Sequence, residues 1–267
     1  MDKVVTNPAS AVSVVEDSMT IATGGFGICG IPSVLLTALR DRGSADLTVV
    51  SNNCGIEGVG NSLLLENHQI RRLIASYVGE NKELERQYLF GEVEIELTPQ
   101  GTLAERLRAG GAGIAAFYTQ TGVGTQIADG GLPIRHTPDG SIDLISEPKP
   151  TEAFDWDGRP RTFVREMALR PDVAFIRAWI GDRHGNLVFR KAARNFNPLC
   201  AMAARITVAE VEQLVEPGEL DPDSVHLPGV FVQHVLPLTP EQAADKAIER
   251  RTVRPGPQAP ATNDGGR

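Results

Sequence analysis

Short apolar runs alternate with amphipathic stretches in the first 50 residues, and this alternation predicts a parallel β-sheet flanked by helices. Residues 19–23 are apolar and rich in β-forming side chains, which is typical of a buried strand. A helix is predicted over residues 33–39, directly after Pro32, and a second strand over residues 47–50. A strand, a helix and a strand in this order favour parallel pairing with a right-handed crossover.

The same alternation returns further along the chain. Strands are predicted over residues 70–77, 92–97, 173–180 and 206–211, and helices over residues 61–67, 82–90 and 199–204. Proline-containing residues 142–163 interrupt the pattern and predict an irregular β excursion of the hairpin-flap kind. The predicted fold class is therefore α/β, with an open, mostly parallel sheet, flanking helices and a small β excursion.

Two local patterns predict details near residue 100. Residues 92–97 alternate strictly between acidic and apolar side chains, which predicts a half-exposed strand whose glutamates face solvent. Thr102 and Glu105 have the spacing of a capping box, in which two side chains accept hydrogen bonds from free N–H groups at a helix start. Gln100 precedes this helix and is not needed for capping, so its amide remains available to a carbonyl oxygen.

The length of 267 residues and the hydrophobic content of 41% are ordinary for a globular protein. We predict one domain over residues 1–253 and a disordered tail over residues 254–267, where proline, glycine, alanine and charged residues prevail. No apolar run approaches the roughly 20 residues that span a bilayer, and the first residues lack a signal-peptide core. We therefore expect a cytoplasmic protein that does not bind membranes.

Charge and metal-binding residue types narrow the possible functions. The formal net charge is −8 and no basic cluster is present to follow a phosphate backbone, which argues against nucleic-acid binding. Cys29, Cys54 and Cys200 are too far apart in sequence for a zinc site or a disulfide framework. His226 and His234 have no third ligand nearby in sequence, so no metal is expected.

The densest candidate chemistry is the turn between the first strand and its helix, which contains Gly24, Gly25, Phe26, Gly27 and Gly30. Four glycines in seven residues exceed what a tight turn requires, and open backbone N–H groups beside a helix start favour anionic or carbonyl oxygen. The spacing also fits a dinucleotide-binding G-x-G-x-x-G, but the second strand ends without the acidic residue that would hold a ribose. No G-x-x-x-x-G-K-[ST] phosphate loop occurs either.

Polar side chains follow two further strands of the predicted sheet. Asn52 and Asn53 come after the second strand, and Gln100 comes after the strand at residues 92–97. Because ligands bind outside the carboxyl ends of strands in open α/β sheets, we expect these residues and the glycine turn at the same rim. Asparagine also closes turns, so a turn role and a binding role both stay open for Asn52 and Asn53.

Residues 17–32, with their glycine-glycine-phenylalanine turn and Gly-x-Pro ending, resemble the first signature of the type I coenzyme A-transferases. Further segments that are similar to the A subunit of the 3-oxoacid (succinyl-CoA:acetoacetate) CoA-transferases lie at residues 51–55, 76–81, 96–106 and 190–197. The resemblance runs from the N-terminus to about Val253 and implies the fold of that family. It departs from the family pattern at Ser18, where glycine or asparagine is preferred, and at Gln120, where proline is usual.

The resemblance implies a ping-pong transfer of CoA from succinyl-CoA to a 3-oxo acid such as acetoacetate, with a CoA thioester as substrate and no resident cofactor. In this family a glutamate in a Ser-Glu-Asn-Gly motif attacks the thioester, and this sequence has no such motif. The chain therefore resembles the half without the nucleophile. A B subunit that carries the motif is expected as its partner in a hetero-oligomer.

The resemblance also implies roles for the candidate residues. The Gln100 amide would face the reacting carboxyl groups, Asn52 and Asn53 would line the acyl pocket, and the glycine turn would form the near wall. Three alternatives remain open at this point. They are the corresponding half of a 3-oxoadipate CoA-transferase, a non-catalytic module that binds a sugar phosphate or an acyl phosphate, and a nicotinamide oxidoreductase.

Overall fold

The structure is a computed structural model that describes residues 1–246 and residue 248. The predicted tail over residues 254–267 lies outside the described residues. The strands are β1 (Thr20–Thr23), β2 (Leu47–Asn53), β3 (Ile70–Tyr77), β4 (Glu94–Leu97), β5 (Ala116–Thr119), β6 (Pro133–His136), β7 (Ile142–Ile145), β8 (Thr151–Trp156), β9 (Arg159–Met167), β10 (Val173–Asp182), β11 (Leu187–Val188), β12 (Ile206–Val215) and β13 (His234–Pro237).

The α-helices lie between these strands. They are α1 (Pro8–Ala11), α2 (Ser33–Arg42), α3 (Ser62–Glu66), α4 (Lys82–Leu89), α5 (Gln100–Gly111), α6 (Gln126–Asp129), α7 (Asn197–Ala203) and α8 (Pro240–Ala244), with 3₁₀ turns at Lys191–Arg194, Pro222–Ser224 and Gly229–Phe231. Within the part of the chain that the structure describes, no helix combines the length and the apolar character that a bilayer span needs.

Seven strands form the main path of the central sheet in the order β13-β12-β10-β1-β2-β3-β4, and β11 pairs with β10 outside this path. Every neighbouring pair along the path is parallel. Strand β1 lies centrally, where Ile21 pairs with Val173 on one side and Val49 on the other. The structure therefore confirms the predicted α/β class with its mostly parallel sheet.

Helices cover both faces of this sheet, so its central strands are apolar on both sides. On one face the apolar side chains of α2, α3 and α4, such as Leu35, Leu64 and Leu84, are buried in one cluster. On the other face, side chains of α5 and α7, such as Leu107 and Cys200, are buried in a second cluster. The two clusters explain why consecutive residues of the central strands are buried.

The β excursion is more regular than its sequence predicts. Strands β5, β9 and β8 form a three-stranded antiparallel sheet, and β6 and β7 form a separate hairpin. Strand β6 approaches the edge strand β4 and anchors the excursion there, since the Tyr88 hydroxyl of α4 donates to the Pro133 carbonyl at 2.8 Å. Antiparallel pairing satisfies the backbone groups between the prolines, which the sequence pattern alone did not show.

The prediction that the glutamates of residues 92–97 face solvent holds for Glu92, which is exposed, and is wrong for Glu94 and Glu96. Strand β4 begins at Glu94, which is 8% exposed and whose carboxylate lies 2.9 Å from the Arg135 guanidinium. The Glu96 carboxylate lies 2.6 Å from the Arg106 guanidinium and 2.5 Å from the Arg72 guanidinium. Because β6 and α5 cover this edge, the acidic side chains form ion pairs there.

The predicted capping box is also wrong. Helix α5 begins at Gln100, three residues earlier than the motif requires, and no side chain caps it. Thr102 is therefore inside the first turn, where its buried hydroxyl has no hydrogen-bond partner in the described chain. Glu105 pairs instead with Arg108 at 2.7 Å, one turn further along the helix.

A buried carboxylate from β12 caps helix α2, which has no side-chain cap of its own. Glu210 Oε2 accepts hydrogen bonds from the N–H groups of Val34 and Leu35, both at 3.0 Å, and Oε1 lies 3.2 Å from the Arg177 guanidinium. Glu210 is fully buried, and burial raises its pKa to about 7 although Arg177 and the two N–H groups act in the opposite direction. This carboxylate joins strand β12 to the start of α2.

We predict that replacing Glu210 with alanine lowers the free energy of unfolding by about 3 kcal/mol. Two N–H groups of α2 and the Arg177 guanidinium would each lose an acceptor in a buried setting. Chemical denaturation at neutral pH measures the change. The matched control is E105A, which breaks the partly exposed pair with Arg108 and should cost less than about 1 kcal/mol. Equal losses in both variants would contradict the capping role.

Candidate active site

The glycine turn follows β1 at the carboxyl edge of the sheet and closes as a short hairpin. The N–H and carbonyl groups of Phe26 and Cys29 exchange two hydrogen bonds, both of 3.0 Å. Gly27 occupies this hairpin with a φ of 58°, a conformation that glycine adopts without strain. The N–H groups of Gly25, which is buried, and of Gly30, which is half-buried, have no acceptor among the described residues.

Asn197 holds this turn in place, and sequence reasoning gave it no role. The side chain is fully buried. Its Oδ1 accepts from the N–H of Arg177 at 3.0 Å, while Nδ2 donates to the carbonyl oxygens of Gly30 at 3.0 Å and Ala193 at 2.9 Å. A Cβ at Gly24 would overlap Asn197 Oδ1, so this glycine is required for close packing. In the sequence, this position was marked only as the end of the family-like segment at residues 190–197.

Asn52 meets the glycine turn directly. Its Oδ1 accepts from the N–H of Gly27 at 3.4 Å, which is a long contact. Asn52 is 3% exposed, and its Nδ2 has no hydrogen-bond partner among the described residues. A buried donor without a partner costs free energy, so its presence beside a glycine turn is typical of a functional site. Asn53 ends β2 and is half-buried.

A second glycine turn of the same design follows β2, and sequence reasoning missed it. Ile56 and Val59 form an antiparallel bridge, as Phe26 and Cys29 do in the first turn. Asn61 follows this turn, and its Nδ2 donates to Thr23 Oγ1 at 2.8 Å, which ties the two turns together. In both turns two glycines five residues apart flank the bridge, at residues 25 and 30 and at residues 55 and 60, and this repeat was the signal that could have revealed the second turn.

Gln100 lies on the same edge but further along it. It is the first residue of α5, it is exposed, and no described residue forms a hydrogen bond with its amide. Strand β3 separates β4 from β2, so the strand ends that carry Gln100 and Asn53 are roughly 10 Å apart. The structure therefore brings Asn52 into contact with the glycine turn, and it places Gln100 two strands away.

Buried polar atoms without a partner concentrate along this edge. Of six such atoms found within the described chain, two, Arg72 Nε and His136 Nδ1, lie elsewhere, and four lie at this edge: Asn52 Nδ2, Asn61 Oδ1, Ser76 Oγ and Thr102 Oγ1. All four belong to residues at or just beyond the carboxyl ends of β2, β3 and β4. Native structures satisfy most buried polar groups, so this concentration distinguishes the edge from the rest of the molecule.

The cysteine nearest to Asn52 is a poor nucleophile. Cys54 is buried, and burial raises the pKa of its thiol to about 12, so the reactive thiolate is scarce at neutral pH. His184 is exposed in the turn after β10, where its backbone N–H donates to Asp182 Oδ1 at 2.9 Å. The edge therefore offers backbone N–H groups and carboxamides, which suit a carboxylate or a developing oxyanion.

Comparisons with known proteins place this chain in a family. Residues 5–237 match the family model described as coenzyme A transferase. The chain is 59% identical, over 95% of its length and 100% of the relative's, to the A subunit of a probable succinyl-CoA:3-ketoacid coenzyme A transferase from Mycobacterium tuberculosis. It is 45% identical to the mitochondrial succinyl-CoA:3-ketoacid coenzyme A transferase 2A of Rattus norvegicus, covering 98% of this chain and 49% of that protein.

A solved structure shares the fold. The acyl-CoA transferase YdiF of Escherichia coli O157:H7 superposes with a TM-score of 0.72 at 22% identity. The comparison covers 90% of this chain and 48% of the YdiF chain, so this chain spans about half the length of that protein.

We predict opposite effects for two glycine-to-alanine substitutions at this edge. G24A should lower the free energy of unfolding by about 2 kcal/mol, because its methyl group would displace the Asn197 side chain. G101A should leave stability unchanged or raise it by up to about 1 kcal/mol, since a Cβ there meets no atom within 4 Å and alanine favours the helix. Chemical denaturation of both variants measures this, and a G24A variant as stable as G101A would refute the packing role of Asn197.

Proposed function

Because this chain belongs to the coenzyme A transferase family, we propose that it is the A subunit of a succinyl-CoA:3-ketoacid coenzyme A transferase. The observation that supports this most directly is the match to a relative of that name over almost the whole of both chains. The relatives are named as succinyl-CoA:3-ketoacid transferases, so the 3-oxoadipate transferase alternative is not favoured. Neither the nicotinamide nor the phosphate-module alternative has support in the comparisons.

A partner subunit completes the enzyme. The relative from M. tuberculosis is named as one subunit, and this chain covers about half of the rat enzyme. A Ser-Glu-Asn-Gly motif is absent from this sequence. The partner therefore contributes the nucleophilic glutamate of that motif, and this chain contributes hydrogen-bond donors.

The reaction proceeds through acyl transfers at the carboxyl edge. The partner's glutamate carboxylate attacks the succinyl-CoA carbonyl, and the thiolate of CoA leaves to give a mixed anhydride. The thiolate then attacks the glutamyl carbonyl and releases succinate, which leaves CoA as a glutamyl thioester. The carboxylate of the 3-oxo acid repeats these two steps in reverse, takes the CoA and regenerates the glutamate. CoA is thus bound as a substrate thioester, with no resident cofactor.

Each of these attacks forms a tetrahedral intermediate with negative charge on oxygen, which preorganised donors stabilise. The Gln100 amide donates a hydrogen bond to that oxygen. This amide is exposed and forms no hydrogen bond with any described residue, so it is free to do so. Asn52 and Asn53 line the acyl pocket beside the glycine turn, which forms its near wall. Three donors without an acceptor among the described residues support this arrangement: the N–H groups of Gly25 and Gly30 and Nδ2 of Asn52.

Co-expression tests the proposal. The chain should be inactive alone and should transfer CoA from succinyl-CoA to acetoacetate when it is purified with a Ser-Glu-Asn-Gly-bearing partner. Acetoacetyl-CoA forms a conjugated enolate that absorbs in the near ultraviolet and succinyl-CoA does not, so transfer can be followed by the absorbance of that enolate. A second assay with 3-oxoadipate identifies the acceptor. Activity of the chain alone would contradict the two-subunit proposal.

We predict that Q100A lowers kcat of the complex by about 100-fold and changes KM for both substrates by less than about threefold, because the amide acts on the transition state. The matched control is Q126A, since Gln126 is also an exposed glutamine at the first position of a helix and lies in the excursion. Q126A should retain wild-type kinetics. A pure KM effect in Q100A would remove Gln100 from oxyanion stabilisation.

A further inference from the structure

The outer part of the β8–β9 hairpin extends into solvent. Residues that face one side of it, such as Ala153 and Thr162, are exposed. Residues that face the other side, such as Trp156 and Arg161, are exposed as well. A two-stranded hairpin without a covering layer is only marginally stable in water, so this element is expected to be covered in an assembly.

One face of the excursion sheet has the composition of a binding surface. The pairing register places seven of its larger side chains on this face, which we name the arginine–aromatic face: Tyr118, Phe154, Trp156, Arg159, Arg161, Phe163 and Arg165. Tryptophan, tyrosine and arginine are the residue types that dominate binding energy at protein interfaces.

The aromatic rings on this face form a continuous cluster. The centroids of Tyr118 and Phe154 are 5.0 Å apart, those of Phe154 and Phe163 are 5.5 Å apart, and those of Trp156 and Phe163 are 5.4 Å apart. Phe163 is 7% exposed beneath its neighbours, whereas Trp156 is 53% exposed. The cluster is therefore held rigidly from below and presents a large apolar surface to solvent.

The three arginines on this face have no acidic partner. None of the guanidinium groups of Arg159, Arg161 and Arg165 takes part in an ion pair or a hydrogen bond within the described chain. The acid on the same face, Glu152, accepts a hydrogen bond from the Tyr118 hydroxyl at 2.8 Å. By contrast, arginines elsewhere in the excursion and sheet, such as Arg135, are ion-paired. Three unpaired positive charges occur together here in a chain of net charge −8.

We propose that the arginine–aromatic face binds an acidic surface of the partner subunit, with Trp156 as its apolar anchor. This inference rests on the proposed two-subunit function. A distinct partner fits better than a second copy, because a two-fold contact through this face would place arginines of one copy against those of the other. The aromatic cluster supplies the desolvated centre of the contact, and the arginines select a partner of opposite charge.

Affinity between the co-purified subunits tests the surface. The dissociation constant is measured by surface plasmon resonance for the wild-type chain, for W156A and for the triple variant R159Q/R161Q/R165Q. We expect W156A to weaken association about 30-fold. The triple variant should weaken it at least tenfold and reduce its dependence on salt. The matched control R40Q/R108Q/R205Q removes the same charge from exposed arginines outside the excursion and should bind within twofold of wild type.

Circular dichroism melting checks that each variant is folded, and T162S provides a hairpin substitution on the opposite face that should bind as wild type does. If wild-type subunits associate and transfer CoA while W156A and the triple variant bind equally well, the surface is refuted and the proposed function stands. If the variants abolish only self-association of this chain, a second copy is the occupant and the proposal is overturned. If wild-type subunits neither associate nor transfer CoA, the proposed function fails together with this surface.

Discussion

The candidate site depends on the close contact between Gly24 and Asn197. Because Gly24 has no side chain, the Asn197 amide fits against the backbone and bonds Arg177, Gly30 and Ala193 at once. Three segments that are distant in sequence are thereby fixed relative to one another. Both the oxygen and the nitrogen of this buried amide form hydrogen bonds, and any other placement of the amide would leave these buried groups unpaired at a cost in free energy. The turn after β1 therefore has one well-defined conformation. That rigidity is what a site of preorganised donors requires.

The carboxyl edge that Asn197 supports differs from the interior of the sheet in how its polar groups are paired. The interior of the sheet satisfies its charges internally, as Glu210 does by capping α2 and pairing with Arg177. At the carboxyl edge, by contrast, Asn52 Nδ2 is a buried donor without an acceptor, and Asn61 Oδ1 is a buried acceptor without a donor among the described residues. On the proposed function, binding of a carboxyl group there would recover the free energy that the Asn52 donor forgoes. On the proposed function, that group is the substrate carboxyl and the partner's glutamate.

The same contrast appears in the excursion. Glu94 and Glu96 were expected in solvent, but they pair with arginines where the excursion covers the sheet. On the arginine–aromatic face, by contrast, the arginines of β9 have no ion-pair partner within the described chain. Charged side chains are thus ion-paired where other elements of the chain pack over them, and the arginines are unpaired where the sheet is exposed. This uneven balance explains why the net charge, taken alone, says little about which partners the protein binds.

The sequence by itself determined the α/β class, the position of the glycine turn and the membership of Asn52 and Gln100 in one edge, because these follow from short apolar runs and from local turn chemistry. The residue patterns predicted a ligand site at this edge, and the resemblance to a known family added the expected reaction. Only the tertiary structure decided that Asn197 locks the turn, that Glu210 caps a helix 176 residues earlier in the chain, and that β3 separates Gln100 from Asn53. Those contacts join residues far apart in sequence, and no local pattern records which distant side chain will fill a given space.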